Sequence, residues 1–283
     1  MGACGMIDGR AGVRPAVPGQ SVKIRLMNTV PESEIPRRMG AAAGLKWLVD
    51  GFALYRRSPL LLSLAFGAMF GVVMALGLIP GLGPSLSEFA LPLLTAGFLA
   101  AYRTLDEGRE LEPPVFLAGV RGPLLPLVTI GAFQLLGTVL ISQAMLAMGF
   151  DPEALRAVME NDKATPQEMR AVVNQALPAA LLGLSLLSLL SMATLFAPAL
   201  VLFGGARPLV ALAVSFKACL RNLMPLFVLG LVAGLLVLFS LLIPMLLGLL
   251  FSMPLLLAAL YAAYQSLFAI WSEDPPQSVD SFA

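Results

Sequence analysis

The residues with chemistry to offer fall into three groups. Arg56 and Arg57, Arg121, and Lys217 with Arg221 each stand a few residues before a Pro-Leu pair that opens a long apolar run. A cation at that position lies among lipid phosphates, so these five are candidate headgroup contacts as well as topology determinants. Gln134, Thr138, Ser142 and Gln143 make a polar face at helical spacing in one apolar run, and Ser185, Ser188, Ser191 and Thr194 do so in the next. Such groups either line a polar route or bond neighbouring helices, at about 1 kcal/mol or less each. Gln134, Thr138, Gln143 and Ser188 are the candidates for a route. Asp106, Glu107, Glu110 and Glu112 cluster in a connector. Carboxylates can hold a divalent ion, but without His or a spaced Asp-rich loop this group reads as a solvated linker.

Other chemistry is missing. The chain has no His, and Cys4 and Cys219 are too far apart for a CxxC motif or a disulfide framework. No HExxH, GxSxG or P-loop sequence occurs, and intramembrane proteolysis would need a Ser–His or paired-Asp arrangement. The expectation is therefore a non-enzyme with no catalytic residues, no metal site and no cofactor. No Asp, Glu, Lys or Arg lies deep in an apolar run; Glu88 comes nearest, at the outer end of the second. Ion-coupled transporters usually keep such a charge, so proton coupling is not expected. The net charge of +1 is uninformative, since its distribution matters more, and no nucleic-acid partner is expected. Membrane lipids are the expected partners, and a homo-oligomer stays open.

The elements that must position these residues are set by segregation of charge. The chain is 58% hydrophobic and 12% charged, about half the charge of a soluble domain. Residues 60–87, 122–150, 171–206 and 222–272 carry none, and a span needs about 20 apolar residues. The pattern predicts an all-α, polytopic transmembrane bundle of six spans, near 60–80, 89–105, 124–148, 176–203, 223–243 and 249–271. They form three hairpins with cytoplasmic interfacial helices. IPGLGPS, Ile79 to Ser85, ends the first span, and Ile243-Pro244 divides the last pair. Six spans put fifteen of the eighteen Lys and Arg residues on one side, which predicts that both termini are cytoplasmic. Residues 1–35 read as a disordered leader, with Met1 or Met27 as the start, 36–271 as the membrane domain and 272–283 as a cytoplasmic tail. In the outer loop 149–175, Asp151-Pro152 and Thr165-Pro166-Gln167-Glu168 are helix starts, the second a capping box.

The hairpins read as repeats. PLLTAGFLAAYRTL (92–105) returns as PLLLAALYAAYQSL (254–267), with eight of fourteen positions identical. GFALYRRSPLLL from Gly51 is similarly echoed by SFKACLRNLMPLF from Ser215 and, more weakly, by FLAGVRGPLLPLV from Phe116. The units cover about 44–105, 115–203 and 211–267, each a cytoplasmic amphipathic segment, a span out, a turn and a span back. Same-sided units are related by an axis along the membrane normal. In the first segment Leu45, Leu48, Phe52 and Tyr55 form an apolar stripe, which predicts a helix in the headgroup layer with Trp47 and Tyr55 as interfacial anchors.

Across residues 36–271 the chain resembles an uncharacterised proteobacterial polytopic inner-membrane family. The resemblance rests on Trp47, Gly51, Phe52, Arg56, Arg57 and Pro59, and on the Ala-Gly-Phe segment before Leu105-Asp106-Glu107-Gly108. More distantly, its layout is similar to the membrane domain of glycerophosphodiester phosphodiesterases and YciC-type proteins, without room for their catalytic barrel. The resemblance implies an inner-membrane protein with no catalytic residues to carry over. Two functions are expected from the reading as a whole: a non-enzymatic component that organises lipid or partner proteins, or a small permease or lipid exporter with a polar route between spans three and four.

Overall fold

The computed structural model describes residues 36–161, 165–242 and 247–268. The expected leader, the Ile243-Pro244 break and the C-terminal tail lie outside them. Among the described residues every regular element is helical. The order is α1 (Ala43–Tyr55), α2 (Pro59–Gly77), α3 (Gly83–Asp106), a 3-10 turn (Pro113–Leu117), α4 (Ala118–Arg121), α5 (Leu124–Ala147) and α6 (Pro152–Glu160). Then follow α7 (Pro166–Thr194), α8 (Ala197–Gly204), α9 (Pro208–Arg221), α10 (Leu223–Leu241) and α11 (Leu247–Leu267). Six of these segments are long and apolar enough to cross a membrane: α2, α3, α5, α7 continuing into α8, α10 and α11.

Local chemistry places the ends. Gly81, at φ +79°, takes the left-handed conformation that lets α2 reverse into α3. The Asp151 side chain accepts from the backbone N–H groups of Glu153 and Ala154, at 3.0 and 2.9 Å. Thr165 and Glu168 form the capping box reciprocally. α7 therefore runs without interruption from the loop into the fourth span. It breaks at Leu195-Phe196, and the chain resumes as α8.

Lipid is as apolar as Leu, so burial alone does not hold such helices together; close packing does. The packing is cyclic. α2 pairs with α3, α5 with α7, and α10 with α11. The segment leading each hairpin rests on the returning helix of another: α1 on α11, the 3-10 turn and α4 on α3, and α9 on α7 and α8. α3, α8 and α11 fill the middle, where Leu99, Tyr102, Phe196, Leu200 and Ala259 are fully buried. Leu60, Leu125, Leu181 and Phe227 face outward, a surface that suits hydrocarbon.

One expectation is corrected. Trp47 and Tyr55 are not headgroup anchors, since both are buried on α11. The Trp47 indole N–H donates to Ser266 Oγ at 2.6 Å, and Tyr55 meets Phe251 edge-on at 5.2 Å. α1 carries two stripes of the same spacing, offset by one residue. The stripe through Gly44, Trp47, Gly51 and Leu54 is the one that packs. A Cβ at Gly44 would run into the Pro225 carbonyl, and one at Gly51 into the backbone of Ala258 and Ala259. Those glycines bring the α1 backbone against α10 and α11, leaving Leu45 and Phe52 exposed.

Candidate functional site

The two copies of the repeated stretch touch each other. The Tyr102 hydroxyl of α3 donates to the Pro254 carbonyl, which opens the second copy in α11, at 2.6 Å. The Tyr102 and Tyr261 rings lie 6.4 Å apart. One turn further, Gln265 Nε2 donates to Asp106 Oδ2 at 2.6 Å and to the Tyr261 oxygen at 2.7 Å. Tyr261 itself reaches Asp106 Oδ2 at 3.3 Å. The duplicated AAY segments thus meet at the arginine-rich end of the bundle.

α8 closes the third side. Gly205, at φ +60°, ends that helix in the left-handed conformation, and Phe203 packs on Tyr261 and Tyr264, with ring centroids 6.2 and 5.5 Å apart. The Arg103 guanidinium lies over the Phe203 ring, 5.1 Å from its centre, a cation–π arrangement. Arg103 is in the last turn of α3, where the helix dipole favours a cation. Its Nε holds Glu107 at 2.9 Å, while Arg109 takes the other Glu107 oxygen. Burial raises the Glu107 carboxyl, but hydrogen bonds and charge from Arg109 and Arg103 outweigh it and hold the group below the usual carboxylate range.

These groups enclose a pocket of about 200 Å³. Arg103, Asp106 and Glu107 wall it from α3, Tyr261, Tyr264 and Gln265 from α11, and Phe203 from α8. Tyr264 is 3% exposed, and its hydroxyl has no partner among the described residues. A buried hydroxyl left unpaired costs about 1–3 kcal/mol. In the sequence the AAY repeat shows duplication, and the amphipathic chemistry emerges only where the two copies meet. The signal was available: polar side chains recur at the same register near the ends of two otherwise apolar helices.

The predicted site residues are placed as follows. Arg56, Arg57, Arg121, Lys217 and Arg221 are all exposed at the arginine-rich end. Arg57 also donates to the Leu105 carbonyl, capping the last turn of α3. Lys217 and Arg221 are one turn apart on α9. The acids of the connector separate: Asp106 turns to α11, Glu107 to the arginines, and Glu110 and Glu112 are exposed. Glu88 is half-buried in the first turns of α3, with one carboxylate oxygen unpaired.

Thr138 and Ser188 hydroxyls donate to their own helix carbonyls at Gln134 and Leu184. Gln134 is half-buried and Gln143 exposed. The contact between spans three and four is instead apolar, with Gly137 against Leu190 and Gly183 against Met145. Ser188 lines a different feature, an open groove of about 530 Å³ between α7 and α10. Leu187, Met192 and Leu195 form one wall, Leu226, Phe227 and Gly230 the other, with Cys219 and Leu223 between. Cys219 is fully buried, and burial pushes its thiol up to about 12 against a weaker opposing hydrogen bond with Ser215.

The fold and these sites define a polytopic transmembrane helical protein. Among curated proteins it is similar to a probable inner membrane protein of Burkholderia thailandensis, 29% identical over 189 residues, covering 65% of this chain and 69% of the relative. No protein-family model matches the chain, and no solved structure matches it.

Proposed function

We propose that the chain is a non-enzymatic inner-membrane protein that retains an anionic phospholipid in the seam between α7 and α10. The observation that carries this reading is the groove itself, an apolar cleft in the spans running toward a cationic end. Its Ser188 hydroxyl is spent on Leu184, so it offers hydrocarbon to an acyl chain. Arg221 falls between Cys219 and Leu223, both lining residues, and Lys217 lies one turn earlier. Each cation near the surface adds about 1 kcal/mol of attraction for an anionic headgroup. The Burkholderia relative's name supports the inner membrane as the location. The positive-inside bias supports cytoplasmic termini, and reporters fused after Ala283 and within residues 161–165 should report cytoplasm and periplasm respectively. The distant likeness to phosphodiesterase membrane domains is compatible with lipid contact through its layout alone.

Native mass spectrometry of the purified chain tests the assignment. Anionic phospholipid should copurify with the wild type and fall several-fold in a Lys217→Gln/Arg221→Gln double variant, with Arg56→Gln as the control. Equal retention in all three proteins sinks the reading.

A further inference from the structure

A second site stands apart from the lateral groove, at the centre of the arginine-rich end. We propose that the pocket between α3, α8 and α11 binds a small zwitterion, one carrying an ammonium group and an anionic oxygen group a few bonds apart. That chemistry is shared by free phosphoethanolamine and the headgroup of an aminophospholipid.

The charges argue for both ends of such a ligand. Glu107 is spent, with one oxygen on Arg103 and the other on Arg109. Arg103 holds it through Nε, which leaves the terminal guanidinium nitrogens at the pocket wall. Asp106 receives both its α11 donors on Oδ2, leaving Oδ1 for an ammonium. The four charged groups sum to zero, so the pocket does not favour a bare anion or a bare cation. A guanidinium edge and a carboxylate oxygen across about 200 Å³ favour a molecule carrying one charge of each sign.

Tyr264 is the independent observation. Its side chain lines the pocket, it is 3% exposed, and its hydroxyl has no partner among the described residues. A buried phenol beside a cavity is satisfied by what the cavity holds. In the proposed complex the anionic oxygen sits on the Arg103 edge, and a turn of the Tyr264 side chain brings its hydroxyl, without accessible surface in this structure, to the same oxygen. Phe203 and the Tyr261 ring supply apolar walls for the methylenes between the two charged ends.

The full chain in phosphatidylglycerol nanodiscs should bind phosphoethanolamine in isothermal titration calorimetry. Native mass spectrometry from mixed nanodiscs should show whether phosphatidylethanolamine is retained over phosphatidylglycerol. Binding in the first assay assigns a free solute, selective retention in the second a lipid headgroup, and either supports the pocket. Tyr264→Phe and Asp106→Asn should each weaken the observed binding at least tenfold. Tyr264→Phe removes a group with no partner among the described residues, so it should fold as well as the wild type. No binding in either assay, inorganic phosphate binding as tightly as phosphoethanolamine, or a Tyr264→Phe variant that folds and binds unchanged overturns the proposal.

Discussion

Three places in the bundle bring a returning span beside the outward span of the next hairpin, and two of them are closed. Gly131 of α5 packs against Phe89 of α3, and Gly67 of α2 against Leu250 of α11. Between α7 and α10 the groove stays open, and a Cβ added at Gly230 or Gly234 on α10 would meet no neighbouring described residue within 4 Å. Small residues alone therefore do not close a seam. They close it where the partner helix is held at the right distance: α1, which leads into α2, is packed on α11. The α3–α5 seam closes against backbone and the α2–α11 seam against the Leu250 side chain, whereas the open seam presents a surface for something else to occupy.

Substitution at Gly51 should break the closed side most severely. A Gly51→Val side chain meets the backbone of Ala258 and Ala259, which cannot move aside as a flexible side chain can. We expect a loss of about 3 kcal/mol or more, at the upper end of overpacking effects, read as thermal unfolding in detergent. Gly230→Val on the open side should stay within about 0.5 kcal/mol of the wild type. Equal losses at both positions would erase the contrast.

A smaller effect tests how α1 is fastened. Trp47→Phe keeps an aromatic ring on α11 but removes the N–H that reaches Ser266. The expected cost is about 1 kcal/mol. A double-mutant cycle with Ser266→Ala should show coupling, because the two groups are 2.6 Å apart. Additive losses would mean that packing fastens the helix without help from this bond.

The sequence showed the spans, the Gly81 reversal and both helix caps of the 149–175 loop because each depends on local chemistry or composition. It misled at Trp47 and Tyr55, since amphipathic spacing cannot say whether an apolar stripe will meet lipid or protein. Gly44 and Gly51 were the discriminating residues, and their effect depends on α10 and α11, more than 170 residues away. Ser188 was similarly placed on a helical face, but the partner of that face is set by tertiary packing. Asn222 illustrates what only the fold reveals: fully buried, it accepts from Met39 N–H at 2.8 Å and donates to the Arg37 carbonyl at 3.0 Å. The central pocket was half legible, because the repeat located its helices but not the meeting of Asp106, Gln265 and Tyr264.

Cys219 reports on the open side without perturbing stability at neutral pH. With its thiol pushed up to about 12 from an ordinary 9.0, it carries on the order of a thousandfold less thiolate than a free cysteine. In a Cys4→Ser background, a water-soluble maleimide at pH 8 should label the folded protein far more slowly than the unfolded one. The sign of the pH dependence follows from the raised value. The neutral thiol's contribution is fully present below the unfolded pKa and is lost as pH rises from about 9 toward 12. Rapid labelling at pH 8 would show that the seam admits water down to the sulfur.

The smallest change in stability should carry the most information about what fills the seam. Gly230→Leu puts a side chain where an added Cβ would meet no neighbouring described residue within 4 Å, on the wall of the groove facing α7. No contact is lost and no backbone is displaced, so unfolding should shift by no more than about 0.5 kcal/mol. The space available to an acyl chain, however, shrinks. If the groove holds a lipid, native mass spectra of this variant should show several-fold less bound phospholipid while Lys217 and Arg221 remain in place. Gly230 and Gly234 also stand at the four-residue spacing by which membrane helices pair closely. A variant that keeps its lipid but changes oligomeric state would reassign the seam to helix pairing. The closed seams would then mark where the chain pairs with itself, and the open one where it pairs with another copy.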